Sequence, residues 1–358
     1  MAGCTMPIYI QYVALMKHPY IPARLNLAIM KLVKIDYHNG VLPETKRDTS
    51  TAFSTSFHTA SEAPFDPNHR PSERPYSFQR WLPLILRTRG LAPSAAQTIP
   101  LSRPQAQLLL EAAEASIPKG DGTLNRLYVE DVASCIVEPV LSELQFPPEG
   151  LFVRLAACSP KDGMKKDALH SPDDVVLKIV TSIRARNAIR QALDEGEEKE
   201  ADRPFELPLS FLPFDGRMGS VNEYRVFCPP GGKKISGISQ YQWHKPWKFA
   251  SLSKHPFHPK GADNMTAKIS ERAEDIRKLV MEELHERGEG DNDDDVLFLK
   301  QGFTFDILYE DLQNTCELVE LNVFGARSPC GSCLFHWVKD REVLWGVEGV
   351  EPEFRIAI

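Results

Sequence analysis

The chain lacks the two commonest phosphate cradles. It contains neither a G-x-x-x-x-G-K-[S/T] loop nor a G-x-G-x-x-G turn, which excludes a P-loop or a Rossmann-type nucleotide site. No G-x-S-x-G nucleophile elbow is present to support Ser-His-Asp chemistry. No run of about 18 apolar residues occurs, so no membrane-spanning helix is expected. Cysteine is sparse and odd in number: seven residues, scattered, form no disulfide framework, and the expected compartment is a reducing one, cytosol or nucleus. Positive charge is in deficit. With 42 Lys and Arg against 49 Asp and Glu the formal net charge is −7, which speaks against a general nucleic-acid or anionic-membrane surface. No internal repeat is found.

What is present is ordinary for a globular protein: 358 residues, 42% hydrophobic and 25% charged, enough for one bilobal domain or two small ones. Residues 1–75 carry no convincing domain pattern and are expected to be a variable extension or linker. Their first 35 residues contain no acid, as in a transit peptide, but are poor in Ser and Arg. Leu25–Ile35 has the spacing of a short amphipathic helix, and Thr45–Pro75 reads as linker. Residues 76–193 are assigned to an N-terminal lobe, 194–204 to an acidic linker, 205–346 to a C-terminal lobe and 347–358 to a tail. Within the first lobe, Pro104–Ile117 reads as a helix and Leu151–Ala157 as a strand. Ser171-Pro172-Asp173-Asp174 is a strong helix start, followed by helix in two pieces around Thr181–Ser182. Glu223–Pro229 and Lys233–Tyr241 form a hairpin turning at Pro229–Gly232. Trp243–Pro259 reads as a surface loop, Lys268–Arg287 as an amphipathic helix and Glu289–Asp295 as an acidic loop. The order implies an α+β protein with mostly antiparallel sheets.

Phe303–Gly325 is the most informative stretch. Two alternating segments are joined by a polar turn; if it centres on Gln313, position i pairs with 626 − i. Asp306 then faces Glu320, and Thr304 faces Asn322. Directly opposed side chains lie about 4.5–5.5 Å apart, so facing carboxylates ask for a cation, and oxygen-only ligands suit Mg²⁺. The alternative is a solvated hairpin face. Arg154 with Lys161, and Arg225 with Gln240, are the cations and amide that would share a cleft with this hairpin. Together these groups make a nucleoside triphosphate site plausible. Cys330, Cys333 and His336 form a C-x-x-C-x-x-H run that Cys316 could complete for zinc, though unremarkable thiols are the leading expectation.

Three segments, FVRLAACSPKD (Phe152–Asp162), EYRVFCPPGGKKISGISQY (Glu223–Tyr241) and FTFDILYEDLQNTCELVELNVFG (Phe303–Gly325), resemble in order and spacing the signature segments of the cell division cycle protein 123 family. YSFQRWLP at Tyr76–Pro83 and TIPLS at Thr98–Ser102 resemble that family's N-terminal motifs, so the likeness spans Tyr76–Gly346. The resemblance implies an ATP-grasp-like, bilobal fold with ATP and Mg²⁺ between sheets. It implies a cytoplasmic, monomeric assembly factor for eukaryotic translation initiation factor 2, acting on the gamma subunit, with no direct nucleic-acid or membrane contact. Carried over by position, it assigns metal binding to Asp306, Glu320 and Asn322. ATP contacts fall on Arg154, Ala157, Ser159, Lys161 and Arg225, with Leu209–Phe214, and Leu212 within it, as a hinge near the adenine. Three positions depart from the pattern: Glu320 stands for Asp, Val323 for Pro and Arg154 for Lys. Arginine keeps the charge but brings a planar fork. Alternatives are an ATP-dependent carboxylate–amine ligase, a nucleotide-sensing module without turnover, and a Mg²⁺-dependent phosphohydrolase. Catalytic residues are not assigned.

Overall fold

The computed structural model describes residues 30–67, 71–165, 168–198, 205–253, 260–287 and 293–358. In chain order the strands are β1 (Lys31–Ile35), β2 (Gln97–Leu101), β3 (Leu151–Leu155), β4 (Leu207–Pro213), β5 (Glu223–Cys228), β6 (Gly237–Gln240), β7 (Phe303–Glu310), β8 (Thr315–Val323) and β9 (Glu353–Ala357). The helices are α1 (Leu42–Thr45), α2 (Phe78–Thr88), α3 (Arg103–Ser116), α4 (Val129–Val132), α5 (Pro172–Val180), α6 (Ile183–Glu198), α7 (Gly261–Glu286), α8 (Asp293–Gln301) and α9 (Arg341–Leu344).

Two sheets divide the fold, confirming the expected mixed α+β class. The larger has six strands in the order β1-β9-β6-β5-β7-β8, and the smaller has three in the order β2-β4-β3. Pairing is antiparallel except for β1–β9 and β9–β6. Each sheet has its own core. The small sheet packs Val153, Leu155, Leu209 and Phe211 against Leu109, Ala112, Val176 and Ile179 of α3 and α5. The large sheet packs Tyr224, Val226, Phe303, Phe305 and Ile307 against one stripe of α7, Ile269, Ala273, Ile276, Val280 and Leu284, the apolar positions expected from periodicity.

Local signals explain several boundaries. Ser171 caps α5 by accepting the Asp174 N–H, with Pro172 at the first turn. The break at Thr181–Ser182 separates α5 from α6 as expected. Gly302 takes φ +75° and sends the chain into β7 with the Cys228 and Pro229–Pro230 backbone against it, a position a side chain could not occupy.

Other boundaries differ from expectation. The amphipathic segment ending at Ile35 is not a helix over its described part: Lys31–Ile35 is β1, paired in parallel with β9. The supposed tail therefore lies inside the large sheet, between β1 and β6. Residues 45–67 are not a detached linker. Ala63 is buried beside Phe324 and Trp337. The Asp66 carboxylate accepts the Ala326 N–H at 2.8 Å. The lobe boundaries shift too: α2, assigned to the first lobe, packs its Trp81 and Ile85 into the large-sheet core, and β4, assigned to the second, is the middle strand of the small sheet. The acidic stretch from Asp194 begins as the end of α6, and residues 199–204 lie outside the described residues. Asp293–Asp295 form the first turn of α8, where acids complement the helix dipole, and Arg74 and Arg80 pair with Asp294 and Asp295. In the expected surface loop, Trp247 is buried and donates its indole N–H to Tyr224 at 3.0 Å. Among the described residues no helix is long and apolar enough to cross a membrane.

Candidate functional site

Strand alternation brings Arg225, Asp306 and Glu320 into one row across β5, β7 and β8: Arg225 pairs with Asp306, and Asp306 with Glu320. Thr304 and Asn322 pair one step along. The expected register holds as far as Asp306. Beyond it a β-bulge shifts the pairing, so that Ile307 faces Leu318 and Val319 is the extra residue. The bulge puts Leu318 into the apolar core beside Leu321 and Val323, while Glu320 stays on the polar face.

Each carboxylate holds a guanidinium. Arg225 binds Asp306 with both arms of its fork, Nε to Oδ1 at 2.8 Å and Nη2 to Oδ2 at 2.7 Å, and its Nη1 donates to the Gly331 carbonyl at 2.6 Å. Arg154 reaches from β3 of the small sheet to Glu320 of the large one, its guanidinium 4.7 Å over the Phe78 ring. Lys161, in the loop after β3, donates to the Tyr241 hydroxyl at 3.3 Å. The Tyr241 ring also carries Arg225 at 5.0 Å. Asn322 Nδ2 lies 3.5 Å from Asp306 Oδ2. Glu223, on the Arg225 face of β5, accepts the Gly219 N–H.

Burial and mutual charge set the protonation of the cluster. Burial, aided by Glu320, raises the Asp306 carboxyl to about 6 against the pull of Arg225. Burial would also raise Glu320, but Arg154, Lys161 and Arg225 overcome it and hold Glu320 well below the usual carboxylate range. Burial raises Glu223 to about 7, opposed by the Gly219 N–H. For Lys161, burial favours the neutral amine, yet Glu320 and its other anionic neighbours keep it cationic with a raised value.

Two cavities flank the Arg154–Glu320 bridge. The smaller, about 230 Å³, is a mainly apolar slot between the sheets, walled by Phe78, Phe152, Leu212, Phe214 and Met218, with the charged groups of Arg89, Arg154, Lys161, Lys178, Asp215 and Glu320 also in its lining. The larger, about 670 Å³, is a chamber of mixed polar and apolar lining that includes Arg184, Asn187, Arg225, Tyr241 and Asn322. The expected site residues thus separate as follows. Leu212 and Lys161 line the slot; Ala157, Arg225 and Asn322 line the chamber; Arg154 and Glu320 line both. Ser159 is buried, with its hydroxyl unpartnered, in the loop after β3, and Asp306 is buried behind Arg225. Gln240 does not join Arg225. It pairs with Tyr224 across the strands, which places it on the other face, and its amide bonds the Gln242 and Lys245 carbonyls.

The donor set suits nucleotide and hard cation. Arg154 Nε and Ser159 Oγ are buried without hydrogen-bond partners, as groups awaiting an acceptor and a donor or acceptor respectively would be. Among the described residues no three His, Cys, Asp or Glu side chains converge as metal ligands. A cation here would draw on two carboxylates and the Asn322 amide oxygen, with phosphate and water completing it, which is the habit of Mg²⁺ rather than of zinc. The zinc arrangement is not assembled. Cys330 Sγ sits 3.1 Å from Thr304 Oγ1, and His336 Nδ1 accepts the Val338 and Lys339 N–H groups. Cys316 packs against the large-sheet core.

Sequence reasoning missed Glu223, Tyr241, Phe78 and Arg89 as parts of the site. Glu223 was visible as sharing a strand face with Arg225. Phe78 and Arg89 carry no local signal, because only the packing of α2 across the sheets brings them to the slot.

No family model matches the chain and no curated protein matches it. Among solved structures it is similar in fold to Cdc123 from Schizosaccharomyces pombe, with 17% identity, 85% of this chain and 99% of that chain covered, and a TM-score of 0.47. A C-terminally truncated Cdc123 from Schizosaccharomyces pombe matches at 18% identity with the same coverage and a TM-score of 0.49.

Proposed function

We propose that the chain binds ATP in the slot between its sheets, together with Mg²⁺ at the Asp306–Glu320–Asn322 row. The observation that carries the reading is the charged part of that slot's lining: Arg154, Lys161 and Glu320 stand among apolar walls, and Arg154 Nε lies buried without a partner. Arg154, Ser159 and Lys161 would bind phosphate oxygens, with Ala157 alongside. Leu212, Phe152 and Phe214 would enclose the base. Arg225 would hold Asp306 in orientation beside Asn322. Mg²⁺ held by Asp306, Glu320 and Asn322 would offset the charge of the phosphates. The cellular role that accords with the signature segments is an assembly factor for translation initiation factor 2, through its gamma subunit, working as a cytoplasmic monomer. One observation favours a second reading. The larger chamber on the far side of the Arg154–Glu320 bridge gives room for another substrate, as a carboxylate–amine ligase of ATP-grasp type would need.

Thermal unfolding with ATP, with and without Mg²⁺, tests the binding. ATP at 100 times its Kd adds about 2.7 kcal/mol of stability. The Mg²⁺-dependent part is expected to vanish in Asp306→Asn and, without breaking the Arg225 pair, in Asn322→Ala. No stabilisation of the wild-type chain by ATP, or a full Mg²⁺ increment in both variants, overturns the reading. Capture of the gamma subunit by the wild-type chain in the presence of ATP tests the partner. Turnover of ATP only when an acid and an amine are both added selects the ligase.

A further inference from the structure

We infer that Arg89, together with Thr88, is a positioning residue for the cation-binding row. The two residues pin the β-bulge that turns Glu320 and Asn322 toward Asp306. The inference rests on the reading of that row as a cation site.

β8 is an edge strand, so its outward N–H and carbonyl groups have no neighbouring strand. The C-terminal end of α2 takes that place at the bulge. Thr88 Oγ1 accepts the Leu318 N–H at 3.0 Å. Arg89 donates from Nε to the Leu318 carbonyl at 3.2 Å and from Nη2 to the Val319 carbonyl at 3.3 Å. The Arg89 side chain thus holds the extra residue of the bulge and the residue before it.

The position of that clamp matters because the side-chain period of a strand is two. A slip of one residue sends every side chain to the opposite face. On the Thr315 side of the bulge the sum of paired positions is 625, as for Ile307 and Leu318; on the Val323 side it is 626, as for Asp306 and Glu320. If the bulge dissolved into a regular ladder carrying the 625 register through, Asp306 would face Val319, and Glu320 would face Phe305 of the apolar core. Holding Val319 out of the ladder is what keeps Glu320 and Asn322 on the polar face with Asp306. Arg89 and Val319 also line the slot, so the clamp and the nucleotide wall are one structure. Glu317, Asp215 and Glu223 are the anions that face Arg89.

The test titrates Mg²⁺ into the chain with ATP held saturating, following thermal stability, and separately titrates ATP in EDTA. Wild type is compared with Arg89→Met, Arg89→Lys and Thr88→Val. The inference expects the Mg²⁺ half-saturation concentration to rise at least tenfold in Arg89→Met, with a smaller rise in Thr88→Val. ATP affinity in EDTA should change less than threefold in Thr88→Val, because Thr88 is not part of the slot lining, and the Mg²⁺ half-saturation of Arg89→Lys, which keeps one donor, should fall between those of wild type and Arg89→Met. A merely structural role would lower the melting temperature of every state equally and leave Mg²⁺ half-saturation unmoved; that result overturns the inference while leaving the cation site standing. Should Arg89→Met fail to fold, Thr88→Val and Arg89→Lys decide by the same criterion. A wild-type chain indifferent to Mg²⁺ overturns the cation site itself, and the inference with it.

Discussion

The ion pair between Arg154 and Glu320 joins the two sheets, and removing either partner should be far more damaging than removing both. The side chains are 7% and 10% exposed, so neither charge has much recourse to water. Removing one partner of a buried pair typically costs about 3–5 kcal/mol, because the other is left charged and desolvated, whereas replacing both is often close to neutral. Arg154→Met leaves Glu320 with only Lys161 and Arg225 nearby, which should place its cost toward the lower end, about 3 kcal/mol. Glu320→Gln leaves the Arg154 guanidinium buried, with one nitrogen already unpartnered and Phe78 beneath it, at a similar cost. The double variant Arg154→Met/Glu320→Gln should lose less than either single variant, and so at least about 3 kcal/mol less than their sum. The measurement is denaturant unfolding without nucleotide, followed by the fluorescence of the five tryptophans. Additivity within about 0.5 kcal/mol would mean that the two side chains are not coupled, and would refute the bridge.

Glu223 makes a second prediction. Its carboxyl is raised from 4.5 to about 7 by burial, so the folded chain holds a proton there that the unfolded chain has released. That contribution is fully present below about 4.5 and is lost as pH rises toward 7, by roughly 3 kcal/mol in all. Glu223→Gln should therefore gain stability relative to wild type as pH rises from 5 to 8, read as the difference between two unfolding series; a pH-independent difference would place the proton elsewhere. A third concerns Gly302. A Cβ there would stand 2.7 Å from the Pro230 nitrogen and 2.8 Å from the Cys228 carbonyl oxygen, at a φ of +75°. Gly302→Ala is expected to cost at least about 2 kcal/mol, from left-handed strain and the backbone shift together, and an unchanged unfolding midpoint would refute it.

The hairpin was legible because its pattern is short-range. Asp306, Glu320, Thr304 and Asn322 are placed by alternation and a turn, and the register follows from which residues are apolar. The α7 stripe and the Ser171 cap were legible for the same reason. The bulge was not, although it left a trace. Strict alternation puts Leu318 on the polar face, and a leucine there is the anomaly that one extra residue removes. The long-range pairings left no trace that periodicity can detect. β1 and β9 pair in parallel across more than 300 positions, and nothing in KLVKI or EFRIA names its partner. Arg154 was read as a phosphate ligand, and its sheet-bridging bond to Glu320 could not be foreseen, since the two lie 166 positions apart on different sheets.

That bridge bears on how the site would work. Without nucleotide Arg154, Lys161 and Arg225 are opposed by Asp306 and Glu320, with Glu223 raised to about 7 beside them. A triphosphate entering the slot brings acceptors to Arg154, whose planar fork cannot serve Glu320 and a phosphate equally well. Transfer of Arg154 to phosphate leaves Glu320 buried without its principal cation. Such a carboxylate has three recourses: to take a proton, to lean on Lys161, or to bind an incoming metal ion. Lys161 faces the same phosphates. Protonation is disfavoured because Arg225 remains close by. On the reading proposed above, Glu320, Asp306 and Asn322 would hold Mg²⁺, and that ion would supply the charge Arg154 gives up. Arg154 would then be a charge that changes partners, and the metal and the nucleotide would each bind more tightly when the other is present.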